Sequence, residues 1–512
     1  MLLLAVCVLL SNSFSKLFLK VPLLNGSTTT VVQGVHLIGG IGPAAAYVVE
    51  TSDGLALIDT GLDDDAGALK GEMQKLGLDW KRLRAIFLTH VHGDHCGGAE
   101  RLRAETGARI YAGQSDVPVI TAGGPREAFF STFRMPDHSP HPTHVDISLA
   151  GGESISVGNV TFKILDTPGH TSGSVCYLME RNGLRVLFSG DVIFRLGDKP
   201  LGTYSAYMAP RYRGNAREYL SSLGKLRKLP APDLVLPGHP SASRGAQSPR
   251  FNQQNWDAML DRGIFEMERL VARLETDGAS FLDGEPKQLL TNLYYFGDFK
   301  QSAVYGLFAD SEFVVMNAPG GAGLHEFLQQ TLKRLGLPPA KPTTVLLTAC
   351  GERETAGLSD LIEQTQARVF VAEAGVELIR GKCPPATSIL ATNEQDKLTP
   401  FSISPMQLGQ AGTTSTAYVL RLSNKTIVIS GRIPTGGDQR AIEELLSTGK
   451  SGMTSPDYIA VLRSLSPIRP QIWLPSNPVN SQNANLYDGE WQSILEKDYA
   501  AAAQLLQYSG QP

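Results

Sequence analysis

The sequence predicts an α/β (α+β) fold in which sheets are covered by helices and the whole arrangement occurs twice in tandem. Three observations lead there. Short apolar runs end abruptly in Gly, His or Asp. The second half of the chain matches the first in ordered blocks. Each half closes on a long amphipathic helix, over Gln254–Glu275 and Trp491–Leu506.

The apolar runs are LALIDTG (55–61), RAIFLTH (84–90), TFKILDTPGH (161–170) and RVLFSGD (185–191). Each has the length and composition of a strand that feeds a loop. Helix-like stretches lie between them, so strand ends should meet on one functional surface.

The repeat is read by aligning the chain with itself. Residues 31–61 match 289–319, each with two apolar strand-like stretches and no gap. AIFLTHVHGDHCGGAERL (85–102) matches TVLLTACGERETAGLSDL (344–361), and HTSGSVCYL (170–178) matches GTTSTAYVL (412–420). RVLFSGDVI (185–193) then matches TIVISGRIP (426–434), and DLVLPGHP (233–240) matches QIWLPSNP (471–478). The expected domains are 25–278 and 289–512, with a linker near 279–288.

Length and composition agree. The 512 residues exceed one ordinary domain, and a hydrophobic fraction of 42% allows large cores. Basic residues number 46 against 50 acidic, a formal net charge of -4, which argues against a nucleic-acid binder. Five cysteines (Cys7, Cys96, Cys176, Cys350 and Cys383) form no CxxC pair and read as free thiols, with Cys96 packing beneath the site rather than ligating. Met1–Leu10 is an apolar run too short to span a bilayer. Residues 1–22 therefore read as a signal peptide or apolar tail and point to a secreted or periplasmic protein, the other reading being cytoplasmic.

The chemistry sits on the strand ends of the first half. Thr89-His90-Val91-His92-Gly93-Asp94-His95 packs four metal-ligand side chains into six positions. Divalent ions such as zinc accept imidazole nitrogen and carboxylate oxygen. One loop cannot fill two coordination shells, so partners must come from later strand ends: His170, Asp191 and His239. A lone histidine is more often structural than ligating. Of the chain's 10 histidines, however, five stand in this set.

HxHxDH followed by these three residues resembles the metallo-β-lactamase superfamily, over residues from about 31 to 275. The resemblance implies a four-layer αββα sandwich with two sheets inside. It implies that His90, His92 and His170 bind one metal, that Asp94, His95 and His239 bind a second, and that Asp191 bridges them. Asp59 would orient a ligating imidazole by accepting the proton on its other nitrogen. The cofactors would be two divalent ions, zinc by default, with iron or manganese fitting the same donors. Their shared charge would lower the pKa of a bridging water and give a hydroxide nucleophile, oriented by Asp94.

The second half is the control. Ala349, Gly351, Arg353, Glu354, Gly412, Arg432 and Asn477 stand where the seven ligands would be, and Asn317 replaces Asp59. That copy is expected to keep the fold without metal, serving in packing, in covering the site or as a homodimer surface. The offset between copies falls from 259 at Thr89/Thr348 to 242 at His170/Gly412, so the first copy carries 17 more residues. The excess falls near 120–150 and reads as a loop over the site containing His138, His141 and His144, with Tyr204, Tyr207 and Tyr212 on another wall.

By the resemblance, an aspartate at 191 is similar to the thioesterase, lactonase and phosphodiesterase branches. The expected reaction is hydrolysis of a small-molecule ester, thioester or lactone. β-Lactam hydrolysis is the alternative, partly because TGARIYAGQSDVPVI (106–120) is similar to some β-lactamases. A duplicated binding or scaffold protein is the reading from a different class, and metal content separates it from the enzyme.

Overall fold

A computed structural model describes residues 20–123, 142–194, 196, 213–240, 246–300, 302–309, 312–392, 401–409, 414–436, 442, 445–446, 454–477 and 482–509. The expectations for Met1–Leu10, His138, His141, Tyr204, Tyr207, Tyr212 and Gly412 lie outside the described residues. His144 is described and is exposed. No helix among the described residues is long and apolar enough to cross a membrane.

The chain forms two compact units, Met1–Glu275 and Thr276–Pro512. In unit 1, seven strands pair in chain order: Thr29–Val32, Val35–Ile38, Ala46–Thr51, Gly54–Ile58, Leu83–Phe87, Arg109–Gly113 and Ile147–Leu149. The first four are antiparallel, and the rest run parallel to Gly54–Ile58. The stretch expected to hold two strands thus holds four. Tight turns divide it: Gly34 takes φ 73° between Val32 and Val35, and Gly54 takes φ 141° after Asp53. Such backbone favours residues without a Cβ.

The faces of this sheet divide by alternation. Val48, Leu57, Ile86 and Ile110 pack with Leu69, Met73 and Leu102 from the helices Gly67–Lys75 and Ala99–Thr106. Fully burying each such side chain stabilises by roughly 1.5–3 kcal/mol. Tyr47 and Phe87 face the second sheet. Phe87 lies 4.7 Å from Phe162 and 5.2 Å from Tyr177, and Tyr47 lies 5.5 Å from Phe188.

That second sheet orders its strands Leu234–Pro237, Leu184–Gly190, Val175–Arg181, Val160–Asp166 and Ser154–Val157. Buried hydroxyls stitch it to the first: Tyr47 Oη donates to Pro237 O at 2.7 Å, and Tyr177 Oη to Leu88 O at 2.5 Å. The helix Ala216–Arg227, between Leu184–Gly190 and Leu234–Pro237, and the helix Gln253–Asp277 after them bury Tyr219, Leu223, Trp256 and Met267.

Unit 2 also contains two sheets. Its seven-stranded sheet runs in chain order from Lys287–Leu290 to Ile389–Thr392, and four strands from Ile403–Gln407 to Ile472–Pro475 make the other sheet. Tyr295, Tyr305, Met316, Tyr418, Ile429 and Leu474 fill the space between the sheets. Val315, Val345 and Val369 pack under Leu328, Leu332 and Leu361. Val428 and Trp473 pack under Tyr458, Leu462 and Trp491. The stretch 279–288, expected as a linker, carries structure, because Phe281–Leu282 pairs with Gln482–Asn483. Burial of Phe281 and Leu282 gives it a reason to order.

The stitching bonds also recur. Tyr305 Oη donates to Pro475 O and Tyr418 Oη to Leu347 O. Asn317 takes φ 61°, as Asp59 takes φ 58°.

Candidate metal centre

Every candidate ligand follows the carboxyl end of a strand, where loops from neighbouring strands converge. Leu83–Phe87 leads into Thr89–His95, Val160–Asp166 into His170, Leu184–Gly190 into Asp191, and Leu234–Pro237 into His239. His92 is extended (φ -64°, ψ 141°), and the short helix Gly93–Cys96 after it turns Asp94 and His95 back toward His90. All seven side chains are buried, from 0% exposed at His95 to 7% at His239.

They form overlapping groups whose donor atoms lie within 4.8 Å of one another: His90, His92 and His170; His90, His95 and Asp191; and Asp94, His95 and His239. In the first group, His92 Nδ1 stands 3.0 Å from His90 Nε2 and 3.1 Å from His170 Nε2. In the last, His239 Nε2 is 3.3 Å from His95 Nε2 and 3.5 Å from Asp94 Oδ2. Asp191 reaches both. Its Oδ2 is 3.4 Å from His170 Nε2 and 3.1 Å from His239 Nε2, and its Oδ1 is 3.3 Å from His95 Nε2.

The outward ring nitrogens decide what the inward ones can do. Asp59, itself 2% exposed, accepts from the Thr89 amide at 2.8 Å, the Thr89 hydroxyl at 2.9 Å and His95 Nδ1 at 2.8 Å. A hydroxyl has one proton. Thr89 gives its proton to Asp59, so it accepts from His90 Nδ1 at 3.0 Å. His239 Nδ1 donates to Pro43 O at 2.9 Å. His90, His95 and His239 in neutral form therefore all turn an Nε2 lone pair inward.

Lone pairs facing lone pairs and carboxylate oxygens make a cradle for cations. Asp191 Oδ1 is buried and accepts no hydrogen bond among the described residues. A Cβ on Gly238 would lie 2.2 Å from that oxygen, so only glycine fits against the cradle. The residues fit divalent ions. Cys96 is buried and donates to Val91 O at 3.3 Å, beneath the site. Sequence reasoning missed Thr89, which orients His90, and Asp116, which holds two of the loops. Thr89 adjoins the motif and could have been found by its hydroxyl beside His90. Asp116 carried no such mark.

Protons and cations compete here. Burial opposes charge on His95, but Asp191, Asp94 and Asp59 outweigh it and hold its pKa well above the ordinary value. Burial also opposes charge on His239, and Asp191 raises its pKa nonetheless. His90 goes the other way, lowered first by burial and then by its imidazole neighbours. Raised histidines stabilise the metal-free fold fully below the unfolded pKa of about 6.5, and that contribution is lost as pH rises through the folded values. A metal needs the same rings deprotonated. The gap in melting temperature between metal-loaded and metal-free protein should therefore widen from about pH 5 to pH 8. Thermal melts of both forms across that range check it, and a constant gap would contradict it.

This fold and this site define a class. Residues 39–239 match the family model of the Metallo-beta-lactamase superfamily, and the chain belongs to that superfamily. Among curated relatives it is 34% identical over 158 residues to the hydroxyacylglutathione hydrolase of Methylococcus capsulatus, 31% of this chain and 48% of that protein. It is 30% identical over 215 residues to the hydroxyacylglutathione hydrolase of Maricaulis maris, 42% of this chain and 68% of that protein. The chain spans about half the length of the first relatives it matches, 48% and 49%. Solved structures similar to it include a subclass B3 metallo-beta-lactamase of Bradyrhizobium japonicum, with 24% identity, 50% of this chain and 96% of that one covered, and a TM-score of 0.38. The metallo-beta-lactamase GOB-18 from Elizabethkingia meningoseptica has 25% identity, 51% and 98% coverage, and a TM-score of 0.38.

Proposed function

We propose that unit 1 is a metal-dependent hydrolase with a two-metal centre and that its substrate is a small thioester, with esters and lactones as chemical neighbours. The observation that carries the reading is the convergence of seven buried ligand side chains on one cradle, with Asp191 in reach of both groups. The relatives named as hydroxyacylglutathione hydrolases support a thioester. His90, His92 and His170 would hold one ion, Asp94, His95 and His239 the other, and Asp191 both. Zinc suits this mixture of imidazole and carboxylate, and iron or manganese would fit the same donors.

Divalent ions there supply Lewis acidity and lower the pKa of coordinated water. The chain's own residues do the rest. Asp59 and Thr89 hold His95 and His90 in the tautomers that present Nε2. Pro43 does so for His239. Asp94 lies beside His239 and His95, where its carboxylate can accept a proton from attacking water. Gly238 keeps the cradle open.

We infer that unit 2 is a copy of unit 1 without the metal function. Ala349 and Gly351 offer no donor, and Arg432 puts a cation at the place of Asp191. Buried Glu354 has its pKa raised by burial, with Arg432 acting against that rise. The test of substrate class is a panel of thioester, lactone, phosphodiester and cephalosporin substrates, assayed with and without chelator. Thioester hydrolysis that chelation abolishes and metal restores is expected. Cephalosporin turnover alone would make the protein a β-lactamase.

A further inference from the structure

Asp116 is fully buried at 0% exposure and is not one of the seven ligands. It is the N-cap residue of the helix Val117–Ala122, yet its side chain makes no hydrogen bond to that helix. An aspartate in this position ordinarily caps its own helix. Here the carboxylate is turned to two other segments. Oδ2 accepts from the Val91 amide at 3.0 Å and from the Thr171 hydroxyl at 2.6 Å, and Oδ1 accepts from the Gly173 amide at 3.0 Å.

Val91 lies between His90 and His92, and Thr171 follows His170. One carboxylate therefore joins the loops that carry the three imidazoles of the first group. The approach is close, since a Cβ on Gly173 would lie 2.4 Å from the Asp116 nitrogen. Arg213 closes the other side: its Nε is 3.5 Å from Asp116 Oδ1, and its Nη2 donates to Ser115 O and Ser172 Oγ, both at 2.9 Å.

Unit 2 supplies an independent comparison. Arg368–Ala372 holds the sixth place in its sheet, as Arg109–Gly113 does in unit 1, and a short helix, Val376–Arg380, follows. The N-cap of that helix is Gly375. The residue that clamps Thr348 there, Asn317, keeps the role of Asp59 toward its threonine. The carboxylate of Asp116 is instead gone, together with the ligands.

We propose that Asp116 is a positioning residue for the His90, His92 and His170 subsite, holding the two ligand loops at the spacing one ion needs. The proposal rests on the dinuclear reading above. It predicts a selective defect, because Asp116 touches neither Asp94, His95 nor His239.

The test is competition of full-length protein with a chromophoric zinc chelator, for wild type, Asp116→Ala, Asp116→Asn and Thr171→Val. Wild type should release two ions in separable steps. Asp116→Ala should weaken one step by about 10–100-fold and leave the other in place. Asp116→Asn, whose amide oxygen still accepts from Val91 and Thr171, should fall between. Thr171→Val should shift the same step in the same direction. Cobalt-loaded protein should lose the absorption of one site only. If Asp116→Ala fails to fold, the two milder variants decide. Lower stability with both zinc steps unchanged in the folded variants would overturn the proposal. A wild type that binds no zinc would instead overturn the dinuclear reading itself.

Discussion

Asp191→Ala should give a folded protein that retains fewer than two metals and has lost hydrolysis by on the order of a thousandfold, the several kcal/mol that metal-centred charge stabilisation supplies. The size follows from geometry. The carboxylate of Asp191 reaches His170 of the first group and both His95 and His239 of the last. Its pKa lies well below the usual carboxylate range despite burial, because His239 and His95 surround it. Removing it would leave those imidazoles without a counter-charge and take away the carboxylate that reaches both donor groups. Elemental analysis together with thioester kinetics on the variant checks this. Two tightly held metals with activity within a few-fold of wild type would contradict it.

Asp59→Asn should weaken metal binding at one group of ligands while leaving the fold nearly intact, and the comparison with unit 2 gives the reason. Asn317 accepts from the Thr348 amide at 2.8 Å and from its hydroxyl at 3.1 Å, so an amide can clamp the strand ends as the carboxylate does. Its Nδ2 donates to Ser476 at 3.0 Å. An amide nitrogen at position 59 facing His95 Nδ1 would likewise donate. That would force the His95 proton to Nε2 and remove the inward lone pair. The expected loss is about 10–100-fold in affinity for the ion of Asp94, His95 and His239, the size seen when a ligand-orienting partner is removed. Melting temperature should change little. Asp59→Ala is the contrasting variant: it leaves the buried Thr89 donors unpaired, at about 1–3 kcal/mol each. Equal metal affinity in Asp59→Asn and wild type would show that the tautomer does not matter.

The candidate ligands were legible because their chemistry is dense in sequence. His90, His92, Asp94 and His95 share one loop, and His170, Asp191 and His239 each end an apolar run. Asp59 entered through the resemblance, which implied an acid there to orient a ligating imidazole. The strand count in 29–58 was not, since two continuous apolar stretches conceal the turns at Gly34 and Gly54. Phe281–Leu282 is too short to register as a strand before its partner, Gln482–Asn483, is known. Asp116 was illegible for the same physical reason. Its partners Val91, Thr171 and Gly173 are distant along the chain. Long-range contacts of this kind leave no local period to read.

The central claim is that unit 1 holds two divalent ions and unit 2 none. Elemental mass spectrometry on full-length protein purified under metal-replete conditions tests it most directly. The account predicts about two metal ions per chain, the stoichiometry of a dinuclear site. A well-folded chain without bound metal would contradict the hydrolase reading, and a stoichiometry twice as high would contradict the assignment of unit 2 as metal-free.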